Sequence, residues 1–469
     1  MLVLDFLLCI VISPFTPFIY LWNWFLGDIP KVNSKETAFD ICLNILRKNS
    51  TKNGILASPN EYTDVWTRDA FFALMGLDKV GLNAKQATVD TLEDFQREDG
   101  LIPLYIGRGN ACSKLICKSK PTGCLKATYG DSKTGDVVTD SCFQFIIMRG
   151  KSESSYRAWN FMQQYVRDGL IYEEGLGSWM DTVYLKGHVL YTNILYYKAA
   201  LVLDYNKIAE KIKRRLQCLW TGAYYNCSTS IKSFDQVGNA LAIKWGIADE
   251  KKNSIIKYRK QYFTKGLSNP PCIPPVQDIY LPCYMIGNQN YHNFGWTWVN
   301  LLFISVMKDE TELQKFRKEI QDRGTVYEIY ENDKPVNQLF CVSQPDFSEA
   351  AGMFLLCSNQ EVKVNFFTKL LKPRASIDTG DSRDLYKWLA FIFIATSGII
   401  QAIRSVVVHS GTLSFWSQAC VGIGSIFQIV YFSLEGNWQF ILIQLGIMAL
   451  TVMNIVDIVD NNDNYLGEL

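Results

Sequence analysis

Apolar residues recur at helical spacing along most of the chain between Asn33 and Leu371. The pattern predicts helices over residues 38–46, 67–77, 84–95, 141–149, 156–166, 192–203, 206–219, 233–244, 296–307, 310–320 and 348–356. Loops holding Gly, Pro, Asn and Asp join them, and no strand-and-turn series stands out. Connections alternate in length, with long loops at 99–139, 168–187 and 267–294. That alternation suits a toroid of helical hairpins with the long, functional loops on one rim. An irregular helical bundle fits the periodicity equally well, and no sequence repeat separates the two.

The ends of the chain differ. Residues 1–27 carry one charge, Asp5, and are long enough to cross a hydrocarbon core about 30 Å thick. The basic start of a secretory signal is missing, and Pro14 and Pro17 break a helix at its middle. Residues 1–30 read as a hydrophobic membrane anchor, a re-entrant hairpin or a signal-like segment. Three further apolar runs, 388–403, 413–434 and 438–456, have the length and charge poverty of transmembrane helices. The organisation expected is therefore an anchor at 1–30, a domain at 33–371, three spans at 385–459 and an acidic tail at 460–469. This is a multi-pass membrane protein in contact with lipid, whose spans could also support a homo-oligomer.

Charge adds an exclusion and an orientation. Lys+Arg 47 against Asp+Glu 46 leaves no strongly basic face for nucleic acid. Lys363, Lys369, Lys372, Arg374, Arg383 and Lys387 precede the first span, which favours the cytoplasmic side for the large domain. Cys112, Cys117, Cys124 and Cys142, and the pair Cys272 and Cys283, would read as disulfides in a lumenal protein. A zinc reading fails on spacing, and no metal or organic cofactor is expected.

Candidate chemistry lies where aromatic and acidic residues meet. Sugars stack their apolar faces on aromatic rings while carboxylates and amides take the hydroxyls. Three loops have that character: Asp64-Val65-Trp66-Thr67-Arg68-Asp69, Gly177-Ser178-Trp179-Met180-Asp181, and Tyr291-His292-Asn293-Phe294-Gly295-Trp296-Thr297-Trp298. Glycoside hydrolysis needs two carboxyl groups across the scissile bond, one protonated and one ionised. Asp181 follows Trp179 and Met180, an apolar wall that would raise its pKa. Glu328 lies on a short loop between Tyr327 and Tyr330. Among 46 acids, either alone could be an ordinary surface group.

The order of these loops, from Val65 to Leu356, resembles the glucosidase domain of glycogen-debranching enzymes, the amylo-α-1,6-glucosidase type related to neutral invertases and glucoamylases. Val65-Trp66-Thr67-Arg68-Asp69 is similar to that family's Trp-x-Arg-Asp opening, and Gly100-Leu101-Ile102-Pro103 to its Gly-Leu-Ile-Pro turn. Val138-Thr139-Asp140-Ser141 resembles a Val-Asp-Ala step. Ser178-Trp179-Met180-Asp181 resembles Trp-Met-Asp-Ala, and Gly324-Thr325-Val326-Tyr327-Glu328 resembles Gly-Ser-Ile-Pro-Glu. Cys341-Val342-Ser343-Gln344-Pro345 and Ser348-Glu349-Ala350 follow as in the family.

The resemblance implies an all-α, six-hairpin (α/α)6 toroid with Asp181 as general acid and Glu328 as catalytic base. It implies Trp66, Arg68, Asp69, Asp140, Trp179, His292 and Trp298 as sugar-binding residues. The expected activity is an inverting, exo-acting glycosidase for an α-glucoside. Departures at Thr297, at Pro345-Asp346-Phe347 and in the basic stretch 107–133 leave two rivals open. One is a membrane-tethered carbohydrate-binding protein. The other is a transporter-like subunit with a sugar-sensing domain.

Overall fold

The structure is a computed structural model. It describes residues 31–59, 62–107, 125–131, 135–278, 291–338, 341–358 and 360, all within one unit, Ile19–Ala375. The N-terminal hydrophobic segment, the three C-terminal apolar runs, the acidic tail, and Cys112, Cys117, Cys124 and Cys283 lie outside the described residues. Among the described residues no helix is long and apolar enough to cross a membrane.

Twelve α-helices are described: α1 Ala38–Asn49, α2 Thr67–Lys79, α3 Gln86–Asp94, α4 Asp140–Arg149, α5 Glu153–Met162, α6 Leu190–Val202, α7 Asn206–Arg215, α8 Gln236–Lys244, α9 Lys252–Tyr262, α10 Thr297–Met307, α11 Glu310–Arg323 and α12 Ser348–Cys357. Even- and odd-numbered helices differ in composition. In α12 every residue from Ser348 to Leu356 is buried, and in α10 every residue from Thr297 to Ile304. By contrast α7 buries only Ala209 and Ile212. A helix apolar all round belongs inside, and one with a narrow apolar stripe belongs outside.

Packing follows that division. Helix α2 packs on α4, α4 on α6, α6 on α8, α8 on α10, α10 on α12, and α12 back on α2. The six even helices thus form a closed inner ring, and α1, α5, α7 and α11 lean on it from outside. This is the α/α toroid. The seam between first and last inner helices is unusually close. A methyl group on Gly76 would run into the backbone of Gly352, and one on Gly352 into the backbone of Ala73. Only glycine permits that approach.

A repeated hydrogen bond stitches the ring. The first residue of each inner helix donates its N–H to a carbonyl in the loop leading to the next hairpin. The pairs are Thr67 to Leu104 (3.0 Å), Thr139, immediately before α4, to Gly177 (3.0 Å), Leu190 to Cys227 (2.8 Å), Gln236 to Pro271 (2.9 Å), Thr297 to Glu328 (3.0 Å), and Ser348 to Ala57 (2.9 Å). Four hydroxyls double the stitch: Thr67 to Pro103, Thr139 to Gly177, Thr297 to Tyr327 and Ser348 to Leu56. Each bond satisfies an N–H that the helix itself leaves open. The six-fold repeat absent from the sequence is present in these bonds.

Two expectations need correcting. Helix α9 carries no visible apolar period, because it buries only Ile255 and Arg259. Short antiparallel ladders exist, such as Val65–Trp66 with Tyr105–Gly107 and Gly295–Trp296 with Ile329–Glu331. They are two or three residues long, too short for an alternating pattern to show. Cys142 and Cys272, whose pairing the sequence leaves open, are buried thiols, free among the described residues.

Candidate active site

Because every inner helix starts at a stitch, their N-termini share one rim, and the polar residues of their first turns meet there. Arg68 and Asp69 open α2, Asp140 opens α4, Tyr191 opens α6 and Glu349 opens α12. The Arg68 guanidinium lies 3.6 Å from Asp69 and donates to the carbonyl of Trp179 at 3.3 Å, tying the first loop to the Asp181 loop. Asp140 accepts from the Tyr191 hydroxyl at 3.1 Å, and Gln144 donates to that hydroxyl at 2.7 Å.

Glu328 sits deep. It is 4% exposed, its N–H donates to the carbonyl of Gln344 (2.9 Å), and its own carbonyl accepts the α10 stitch. One carboxylate oxygen accepts from the Tyr291 hydroxyl at 3.3 Å. Burial pushes its pKa up to about 8, and the charge of Asp69, followed by that of Asp181, adds to the push.

Asp181 is the more exposed of the two carboxyl groups. Its side chain is 38% exposed, and one oxygen lies 3.9 Å from His292 Nε2. The apolar wall expected around it is absent, because Trp179 (2% exposed) and Met180 (1%) turn into the core. The indole of Trp179 meets His292, Trp296 and Trp298 edge to face. Adjacent Thr182 donates to Asp278 at 2.5 Å, and Asp278 also takes His292 Nδ1 at 2.7 Å and the His292 backbone N–H at 3.1 Å.

The cluster is one electrostatic unit. Burial works against the Arg68 charge, but Asp69, Glu349, Asp181 and Asp140 outweigh it and raise its pKa. Burial lifts Asp69 despite Arg68, lifts Asp140 to about 6, and lifts Glu349 well above the ordinary range. Glu173, buried beside Thr192 and Thr139, is pushed to about 8. So many buried acids around one arginine is costly for a fold, and such clusters concentrate at functional sites.

Several polar atoms in this group are buried with no hydrogen-bond partner among the described residues: Asp69 Oδ2, Asp140 Oδ1, Glu349 Oε1, His292 Nε2 and the indole nitrogens of Trp66 and Trp179. They combine acceptors and donors, the complement of a polyhydroxyl ligand. Among the described residues no cluster of His, Cys, Asp and Glu has the geometry to hold a metal ion. A cavity of about 190 Å³ lies elsewhere, lined by Ala38, Phe39, Leu313, Arg317 and Phe354, and contains none of these groups.

The structure thus gathers Arg68, Asp69, Asp140, Asp181, Glu328 and His292, with Trp66 stacked on Tyr105 (4.4 Å) beside Arg68. Trp298 is 1% exposed, wedged between Phe72 and Trp179, and its indole nitrogen, like that of Trp179, has no hydrogen-bond partner among the described residues. Trp179 packs with it. Sequence reasoning missed Asp278, Tyr291, Tyr191 and Glu349 as members of the site. Glu349 and Tyr291 stood inside quoted motifs, whereas Asp278 had no local signal.

No family model matches the chain, and no curated protein matches it. Among solved structures it is similar to a glycosidase variant in complex with glucose, at 12% identity and TM-score 0.46 over 68% of this chain and 94% of that one. It is similar to a GH63 mannosylglycerate hydrolase from Thermus thermophilus in complex with Tris and D-glycerate (15% identity, TM-score 0.46, 68% and 99%). It is also similar to an α-amylase from Clostridium perfringens (11% identity, TM-score 0.41, 70% and 99%).

Proposed function

We propose that this chain is an inverting, exo-acting glycoside hydrolase for an α-linked glucoside, tethered to a membrane by its terminal apolar segments. The observation that carries the reading is the unequal exposure of two carboxyl groups in one electrostatic cluster, Asp181 open to solvent and Glu328 buried. In an exo-acting site the departing sugar leaves toward solvent. The group that protonates its oxygen belongs at the opening, and the group that activates water belongs beneath the ring. Unequal exposure therefore supports Asp181 as general acid and Glu328 as base.

In that mechanism Glu328 takes a proton from water as the water oxygen bonds to the anomeric carbon. The glycosidic C–O bond breaks, and its electron pair takes the proton of Asp181. The product has inverted configuration. Arg68, Asp69, Asp140 and Glu349 hold hydroxyls, and Trp66 supports the sugar's edge. The membrane tether is supported by the three apolar runs at 388–456 and the N-terminal segment.

The test uses the full-length protein, p-nitrophenyl glycosides and short α-glucans, with the anomer of the first-formed product read by NMR. Inversion is expected. A retained anomer, or full activity in both Asp181→Asn and Glu328→Gln, would sink the reading. The raised pKa of Glu328 favours a second reading, a site that binds sugar without cleaving it. Glucose binding by calorimetry with no turnover up to pH 9 would select that one.

A further inference from the structure

We propose that Asp278 and His292 are a positioning pair that sets the orientation of Asp181; this rests on the hydrolase reading. Asp278 is buried, and its pKa is lowered, since hydrogen bonds and charge from His292, with Thr182, outweigh the effect of burial. An ionised carboxylate only accepts, so His292 Nδ1 carries the proton aimed at it at 2.7 Å. Thr182 points its hydroxyl hydrogen at the same oxygen. Its oxygen also lies 2.7 Å from Nδ1, on the accepting side.

Two consequences reach Asp181. Thr182 is its chain neighbour, so one buried carboxylate fixes the backbone beside it. The ring, with its Nδ1–H turned to Asp278, presents Nε2 toward Asp181 Oδ1 at 3.9 Å. Nε2 is buried with no other partner among the described residues. The ring cannot easily turn away, because it stacks on Trp296 (5.4 Å, 6°) and meets Trp179 and Tyr291 edge to face. No bond is made or broken by the pair, which acts through Asp181.

The experiment compares an α-linked disaccharide with α-glucosyl fluoride, whose leaving group needs little proton assistance. Asp278→Asn and Thr182→Val should lower kcat on the disaccharide by roughly 100-fold, the low end of general acid catalysis, with KM nearly unchanged. Both should keep most activity on the fluoride, which also shows that they fold. Equal losses on both substrates, or none, would overturn the proposal. A readout without turnover runs beside it. ¹⁵N spectra of histidine-labelled full-length protein, with three histidines in all, should show His292 as the Nδ1–H tautomer, shifting in Asp278→Asn. The Nε2–H tautomer in the unmodified protein would overturn the proposal. If neither substrate is cleaved, the hydrolase reading falls, and the tautomer alone decides the pair.

Discussion

Glu328 is held by main chain, with its N–H and carbonyl both committed to neighbouring loops and its carboxyl group below the rim among other acids. Asp181 is held by side chains, through Thr182, His292 and the buried Asp278, with its own carboxyl group facing solvent. The contrast matches the work proposed for each. A base that must aim one water needs a fixed, dry position. An acid that must meet varied leaving groups and regain a proton every turnover needs an opening.

The largest effects that test this contrast are on rate. Glu328→Gln should lower kcat on the order of 100- to 10,000-fold on disaccharide and glycosyl fluoride alike, since both need an activated water. Asp181→Asn should show that loss on the disaccharide and a much smaller one on the fluoride; identical behaviour in steady-state assays would erase the distinction. Next, Trp298→Ala should destabilise the fold by about 3–5 kcal/mol, because the buried indole braces the Asp181 loop through Trp179. Thermal unfolding measures this, and a variant as stable as the parent would assign Trp298 to the sugar site instead.

Acidity gives a third test. A base with a pKa of about 8 makes kcat/KM climb with pH through that value. Stability runs the other way. Folded Glu328 keeps its proton up to about 8, while in the unfolded chain it releases it near the ordinary glutamate value. The folded state is therefore favoured in acid and loses that advantage as pH rises between the two. Glu328→Gln should gain melting temperature over the parent as pH goes from 5 to 8, and a constant gap would contradict the burial. The smallest effect is expected for Tyr291→Phe. Losing that donor should move the rising limb of kcat/KM upward by about 1 unit or less.

Most helices were legible because the inner and outer rings need different apolar patterns. Helix α9 was not, since a surface helix anchored by Ile255 and Arg259 leaves no stripe. Arg68, Asp69 and Asp140 were named through the resemblance of their motifs, not through a local physical signal of their own. Asp278 was not legible, because its importance lies in a fold contact with Thr182, 96 positions away. Trp298 illustrates a related point: an aromatic ring that stacks on sugar and one that fills a core look alike in a sequence. The apolar neighbours of Asp181 misled, since Trp179 and Met180 point inward while the carboxyl between them and Thr182 points out.

The bond from Ser348 to Leu56 joins positions 292 apart. A ribosome making this chain has assembled five inner helices before the sixth exists, and Ala73 and Gly76 wait with a bare flank until Gly352 arrives. Until then the nascent domain is an open crescent with an apolar edge, the form most exposed to mispairing and most in need of a chaperone. By the same token, relocating the termini to another inter-hairpin junction, with a linker across the native seam, should leave the finished ring intact while changing which helix is last to close it.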